Sequence, residues 1–195
     1  FDIFRAAKSN DLEITLVTNG TLINEKNCES IIDLVDSIYI SLDSPRQDVH
    51  DSIRGVTGTF ERTTRTIQLL SKLRGEKGKK TKITACTIIT MMGLHKPKEM
   101  LDLIKDLGAD RLIHNPASRG HYGYSSLKND FLDKKEEMLE YDKMVDEIIE
   151  LIDKYGTIIK SNPFYLESSK KFLRGGKRYF YFPCYSGGYD GPLVN

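Results

Sequence analysis

DSIYISLDSPRQDVHDSIRGVTG, residues 36–58, is the stretch that sets the fold class of this chain. Its first part, Ser37 to Leu42, is β-branched and apolar and reads as a strand. The strand ends on Ser41-Leu42-Asp43, and a proline follows at position 45. A long polar loop with Gly55 and Gly58 then carries the chain to a helix over 59–73. One βα unit upstream, a second short strand over 13–18, EITLVT, stops at Asn19-Gly20. Polar residues just past apolar strands are where an α/β barrel keeps its active site.

The same alternation runs outward in both directions. Residues 1–9 read as the end of a helix, and 24–34 as a helix with Asn24 as a candidate N-cap. In the helix over 59–73, Ile67, Leu70 and Leu73 share a face. The basic run 74–82 is a solvated turn, and 83–90, ITACTIIT, is the third strand. Pro97 opens a helix that Gly108 closes, and 111–114 is the fourth strand, running into Asn115-Pro116. Ser118 to Ser126 reads as an open loop. The helix over 133–155 carries Met138, Tyr141, Val145, Ile148, Ile152 and Tyr155 on one face. A short fifth strand over 157–160 and a last helix over 163–174 complete the pattern. Strand–helix units in series imply an α/β fold with a parallel sheet and outer helices. They are too few to close an eight-stranded barrel, which leaves a partial barrel or an open doubly wound sheet. Neither G-x-G-x-x-G nor G-x-x-x-x-G-K-[ST] follows any strand, which argues against dinucleotide and nucleoside-triphosphate binding.

Composition narrows the function classes. Hydrophobic residues make up 39% and charged residues 29% of 195, as in a soluble globular domain. The net charge of +1 gives no electrostatic footprint for nucleic acid or an anionic membrane. No apolar run is long enough to span a bilayer. Cys28, Cys86 and Cys184 are far apart and lack C-x-x-C spacing; Cys28 and Cys86 read as core thiols. Unpatterned cysteines fit a reducing, cytoplasmic compartment. The chain opens on Phe1 in helical phase, so a segment of a longer polypeptide is expected.

Four motifs together carry a resemblance: TNG at 18–20, SLDSP at 41–45, HDSIRG at 50–55 and GTFERT at 58–63. In this order and spacing they resemble the third and fourth βα units of a radical S-adenosylmethionine (SAM) domain. The likeness covers roughly residues 1–120 and is strongest over 13–70. It implies a partial (β/α)6 barrel of the TIM type, here without its N-terminal units. It implies two cofactors, SAM and a [4Fe-4S] iron-sulfur cluster held by a C-x-x-x-C-x-x-C loop. It implies an oxidoreductase or maturase in which SAM is reductively cleaved and a 5′-deoxyadenosyl radical abstracts a substrate hydrogen. The substrate would be a peptide, a protein or a small molecule. The cysteine motif and the glycine-glycine-glutamate segment are not in this sequence, and both would lie upstream of Phe1. Without three thiolates these residues hold no cluster with an iron open to SAM, and are expected to be inactive alone. The tail PCYSGGYDGPLVN, 183–195, resembles the opening of the cysteine-rich extension of SPASM- and twitch-type maturases. On that likeness Cys184 is a candidate ligand of an auxiliary cluster. The expected division is a barrel over 1–178 and the start of the extension, or a linker, over 179–195.

Within the resemblance, Arg54 would contact the SAM carboxylate, since a guanidinium fork matches it. Its loss should then weaken SAM binding and change folding little. The other reading pairs Arg54 with Asp48 or Asp51 on the surface. Ser41 and Asp43 alternate along a strand end, so they point the same way, toward the ribose or methionyl moiety. Asp43 equally suits a turn cap. Asn19 could line the site mouth or only make the Asn-Gly turn. Thr90, with Thr87, could border the adenine, or simply occupy a half-buried strand. His114 and Asn115 end the fourth strand, with Asn115 a further SAM candidate and His114 equally a structural histidine. The aromatic run 179–182 reads as a strand or linker packed on the barrel. Other barrel enzymes are the alternatives: an aldolase, for which Lys160 is the only strand-end lysine, or a metal hydrolase, against which the four histidines are scattered. A non-catalytic scaffold or partner-binding remnant is the third.

Overall fold

Four parallel strands, ordered β1-β2-β3-β4 as in the sequence, form the centre of a computed structural model that describes residues 1–90, 93, 96–116 and 135–173. They are β1 (Thr15–Thr18), β2 (Ser37–Ser41), β3 (Lys82–Ile89) and β4 (Arg111–Pro116). The helices are α1 (Asp2–Lys8), α2 (Cys28–Leu34), α3 (Gln47–Arg54), α4 (Thr59–Glu76), α5 (Pro97–Asp106), α6 (Lys135–Tyr155) and α7 (Pro163–Leu173). The α/β class and the parallel sheet with outer helices are as the sequence predicts. The loop 118–126, the aromatic run 179–182, Cys184 and the boundary near 178 lie outside the described residues.

One face of the sheet is closed. Ile38, Ile40, Leu42, Ile83, Ala85 and Leu112 pack against Ile31 and Ile32 of α2, Ile67 and Leu70 of α4, and Met100, Leu101 and Ile104 of α5. Burying each of these isoleucine, leucine and methionine side chains contributes about 1.5–3 kcal/mol. The period-two alternation sends Val17, Tyr39, Ser41, Cys86, Ile88 and Asn115 to the other face. That face is open at Val17, 74% exposed, and Ile88, 38%, while Thr84 on it is buried. A second cluster joins Tyr141, Met144, Val145 and Ile148 of α6 to Leu166 of α7 and to Ile89.

Three local readings change. The segment expected as a fifth strand makes one parallel bridge, Ile159 to Leu112. The Leu112 N–H donates to the Ile158 carbonyl at 3.0 Å and the Lys160 N–H to the Leu112 carbonyl at 2.8 Å. Pairing ends there because Ser161 Oγ takes the His114 N–H, at 2.7 Å. The second helix begins at Cys28, not Asn24, because Asn24 and Asn27 close a turn ahead of it. The long loop after β2 contains α3, a full helix. Among the described residues no helix is long and apolar enough to cross a membrane.

Candidate functional site

All four strands run the same way, so their C-terminal ends share one edge, and Asn19, Ser41, Asp43, Thr90 and Asn115 gather there. Ser41 is partly exposed and Asn115 exposed on the open face, whereas Asp43 is 1% exposed.

At this edge the β2–β3 ladder ends in a particular way. The Leu42 N–H still donates to the Cys86 carbonyl at 2.9 Å. The next ladder bond, from the Ile88 N–H to the Leu42 carbonyl, is replaced. Ile88 donates instead to Asp43 Oδ1 at 3.2 Å, and Thr87 Oγ1 donates to the Leu42 carbonyl at 2.7 Å. The Asp43 N–H donates to His50 Nδ1 at 3.1 Å. Side chains thus satisfy backbone groups that would otherwise be buried and unpaired. Thr87, considered as an adenine neighbour, serves this seam.

Helix α3 supplies the other half of the site. It closes in a Schellman arrangement, with Gly55 N–H on the Ser52 carbonyl and Val56 N–H on the Asp51 carbonyl, both 3.2 Å. Gly55 at φ 69° takes the left-handed position that glycine tolerates best. His50 and Arg54 are one turn apart on the same side of the helix. His50 holds the Asp43 backbone, and Arg54 Nε lies 2.6 Å from Asp43 Oδ2. The two atoms touch without the aligned N–H···O geometry of a hydrogen bond. Arg54 therefore pairs with Asp43, not with Asp48 or Asp51, and its side chain stays 27% exposed. This also revises the expectation that Arg54 matters little to folding, since its removal would strand a buried carboxylate.

Asp51 has a separate task. Gly58, at the start of α4, has no side-chain cap of its own. Asp51 Oδ1 accepts from Phe60 N–H at 2.8 Å and Thr59 Oγ1 at 2.7 Å, and Oδ2 accepts from Gly58 N–H at 2.6 Å. The Phe60 amide above all, then the Thr59 hydroxyl and the Gly58 amide, lower the Asp51 pKa to about 2. A lowered carboxylate pKa adds stability above its unfolded value near 3.8 and loses it as pH falls toward about 2. The stability gap between wild type and Asp51→Asn should therefore be full at neutral pH and shrink through that window. Urea midpoints across the acid range check this, and a gap independent of pH would contradict it.

The TNG turn is tied to α4. Thr63 Oγ1 donates to the Asn19 carbonyl at 2.9 Å and Thr66 Oγ1 to the Gly20 carbonyl at 2.8 Å. Asn19 Oδ1 accepts from the Thr21 amide and hydroxyl, so its carboxamide oxygen serves the turn. Thr90 Oγ1 accepts from the Gly93 N–H at 3.1 Å and is likewise engaged locally. Cys28 sits in the core, as expected. Cys86, the register partner of Ser41, lies half-buried outside the core cluster, and burial, with the Asp43 charge second, pushes its thiol up to about 11. Lys160 is exposed with Nζ on the Gly156 carbonyl, which removes the aldolase argument. His50 was not among the sequence candidates; its i, i+4 relation to Arg54 was the available signal.

The arrangement suits the amino-acid end of SAM. Arg54 offers its terminal nitrogens, which make no hydrogen bond to the described residues, to a carboxylate. Asp43 Oδ2, buried without an aligned donor, adds a negative oxygen beside it. Gly93 closes over the strand end: a Cβ there would lie 3.2 Å from Ile53 Cδ1 and from Thr90 Oγ1, and 3.4 Å from the Asp43 carbonyl. An iron-sulfur cluster does not fit the described residues, among which no three His, Cys, Asp or Glu side chains converge on a metal position.

Comparison with known proteins agrees with this geometry. Residues 1–94 match the Radical SAM superfamily. An AdoMet-dependent heme synthase from Oleidesulfovibrio alaskensis is 34% identical over 110 residues, covering 56% of this chain and 27% of its own. The antilisterial bacteriocin subtilosin biosynthesis protein AlbA from Bacillus subtilis is 33% identical over 107 residues, covering 53% and 22%. The chain thus spans about a quarter of the length of these curated relatives. In fold it is similar to Streptococcus suis SuiB bound to S-adenosylmethionine, with a TM-score of 0.61 and 15% identity over 86% of this chain and 37% of that one. The motifs, the parallel sheet with its polar C-terminal edge and these matches agree that residues 1–94 of this chain belong to a radical SAM superfamily domain.

Proposed function

We propose that this chain is the SAM-binding portion of a radical SAM oxidoreductase or maturase that modifies a peptide or a small molecule. The observation that carries the reading is the Asp43–Arg54 pair at the open strand edge, on the motif residues of a superfamily match. Arg54 would hold the methionyl carboxylate through its terminal nitrogens, and Asp43 would fix the guanidinium from behind. Ser41 and Asn115 face the same open side and would contact the remainder of the ligand; Asn19 and Thr90 would shape its border through the turns they close. When bound beside a cluster, SAM supplies hydrogen-abstraction chemistry. The cluster's cysteines are proposed to come from outside residues 1–195, and Cys184 to be a ligand of an auxiliary cluster. The named relatives, a heme synthase and a bacteriocin biosynthesis protein, support modification chemistry and leave both substrate classes in play.

Two measurements test this. The full-length protein, reconstituted anaerobically and given SAM and a strong reductant, should release 5′-deoxyadenosine; failure with an intact cluster would refute the reading. Residues 1–195 alone, treated with iron and sulfide, should show no [4Fe-4S] signal that shifts on adding SAM, because the sequence holds no C-x-x-x-C-x-x-C. A stoichiometric, SAM-sensitive cluster on this segment would overturn the assignment of ligands.

A further inference from the structure

We propose that His50 is a positioning residue for the Arg54 carboxylate site, acting by holding the backbone of Asp43. The inference rests on the SAM reading of Arg54 given above and adds a residue that does not touch the ligand.

Asp43 is gripped twice by one helix face. His50 Nδ1 accepts its N–H, and Arg54 Nε contacts its Oδ2. Asp43 is also the point where the β2–β3 ladder opens, with its Oδ1 diverted to the Ile88 N–H. No regular strand pairing therefore fixes the Leu42–Asp43 peptide: Thr87 Oγ1 holds its carbonyl and His50 Nδ1 holds its N–H. If the His50 bond is lost, the peptide keeps only its Thr87 contact and the carboxylate only its Ile88 contact, so both can shift, and the guanidinium resting on the carboxylate shifts with them. The Arg54 fork would then no longer be held toward the open face.

The bond also specifies the protonation state of the ring. A backbone N–H can only donate, so Nδ1 must be bare and the proton of the neutral ring sits on Nε2. A protonated ring would set an N–H against an N–H. The groups facing His50 are few. Asp43 lies on the end of β2, its Oδ2 3.9 Å from Nδ1. Arg54 and Asp51 lie on α3 itself, and Phe60 of α4 stacks edge-on at 5.9 Å. Burial, opposed in part by Asp43 and Asp51 and reinforced by Arg54, keeps the ring neutral below its ordinary titration range. The acceptor role therefore holds at neutral pH and fails only in acid.

Two substitutions separate positioning from packing. In His50→Asn the amide oxygen stands where Nδ1 stood and does not titrate. In His50→Leu the bulk against Phe60 remains and the acceptor is gone. SAM dissociation constants would be measured on the reconstituted full-length protein from about pH 8 down to about pH 4.5, well below ordinary histidine titration because burial lowers this ring's pKa. At the higher pH, His50→Leu should bind SAM about 3- to 10-fold more weakly, and His50→Asn within about 2-fold of wild type. At the lower pH, wild type should weaken while His50→Asn changes less. If His50→Leu does not fold, the paired pH profiles of wild type and His50→Asn decide the matter. The proposal is overturned if those profiles coincide, if His50→Asn loses as much affinity as His50→Leu, or if His50→Leu binds like wild type. Arg54→Ala, measured alongside, distinguishes the two layers. Unchanged affinity there removes the Arg54 reading itself, whereas a weakened Arg54→Ala with normal His50 variants removes only this inference.

Discussion

Arg54→Ala is expected to bind SAM about 10- to 150-fold more weakly in the full-length protein, the cost of one charge-assisted carboxylate contact. It should also lose about 2–3 kcal/mol of stability, at or below the lower end of the range for breaking a fully buried pair because the arginine side keeps some water. The reason is asymmetry. Asp43 is 1% exposed while Arg54 is 27% exposed. Removing the arginine leaves a buried carboxylate whose one oxygen accepts from Ile88 and whose other then faces no cation. Adding Asp43→Asn neutralises that group and should recover part of the stability without recovering SAM affinity. Urea unfolding of the two single variants and the double variant, with SAM titrations on each, checks both halves. Full stability in Arg54→Ala would show that the ion pair contributes nothing to folding. Full affinity would move the carboxylate site elsewhere.

Gly108→Ala is expected to cost about 2–3 kcal/mol and to leave SAM binding unchanged. Gly108 ends α5 at φ 79°, a conformation that costs an L-residue about 1–2 kcal/mol. Its added Cβ would also overlap Ser71 Oγ on α4, the hydroxyl that donates to the Gly108 carbonyl at 2.9 Å. Ser71 would have to turn away and give up that bond. The site is at the N-terminal edge of β4, opposite the edge that carries Arg54, so binding should not respond. In a Ser71→Ala background the same glycine substitution should cost less, because the hydroxyl in its path is gone. An equal cost in both backgrounds would leave only the backbone conformation as the cause.

These two residues also show how far the sequence could be read. Gly108 was legible: a glycine just past an apolar-faced helix is a local signal, and the helix closes there. Arg54 was legible as a candidate because it sits in HDSIRG beyond a strand end, but its partner was not. Asp48 and Asp51 are close in the chain and were the natural choices. Asp51 instead reaches Gly58, Thr59 and Phe60 to cap the next helix, and Arg54 turns to Asp43.

The four strands, most helices and their order follow from the sequence alone. β-branched runs, helical spacing and turn residues act over a few positions, and the alternation of strand and helix leaves few topologies besides a parallel sheet. The shared edge of Asn19, Ser41, Asp43, Thr90 and Asn115 follows as well, because parallel strands end on one side. Tertiary structure decided the rest. Helix α3 is mostly polar, and its placement depends on Asp43 being held by His50 and Arg54 across the chain. Cys86 looked like a core thiol because its strand is apolar on both sides in sequence, yet α2, α4 and α5 pack on the opposite face of the sheet and leave Cys86 half-buried. Which charge meets which, and which side of a strand is covered, depend on groups brought together by the fold, and no local pattern specifies them.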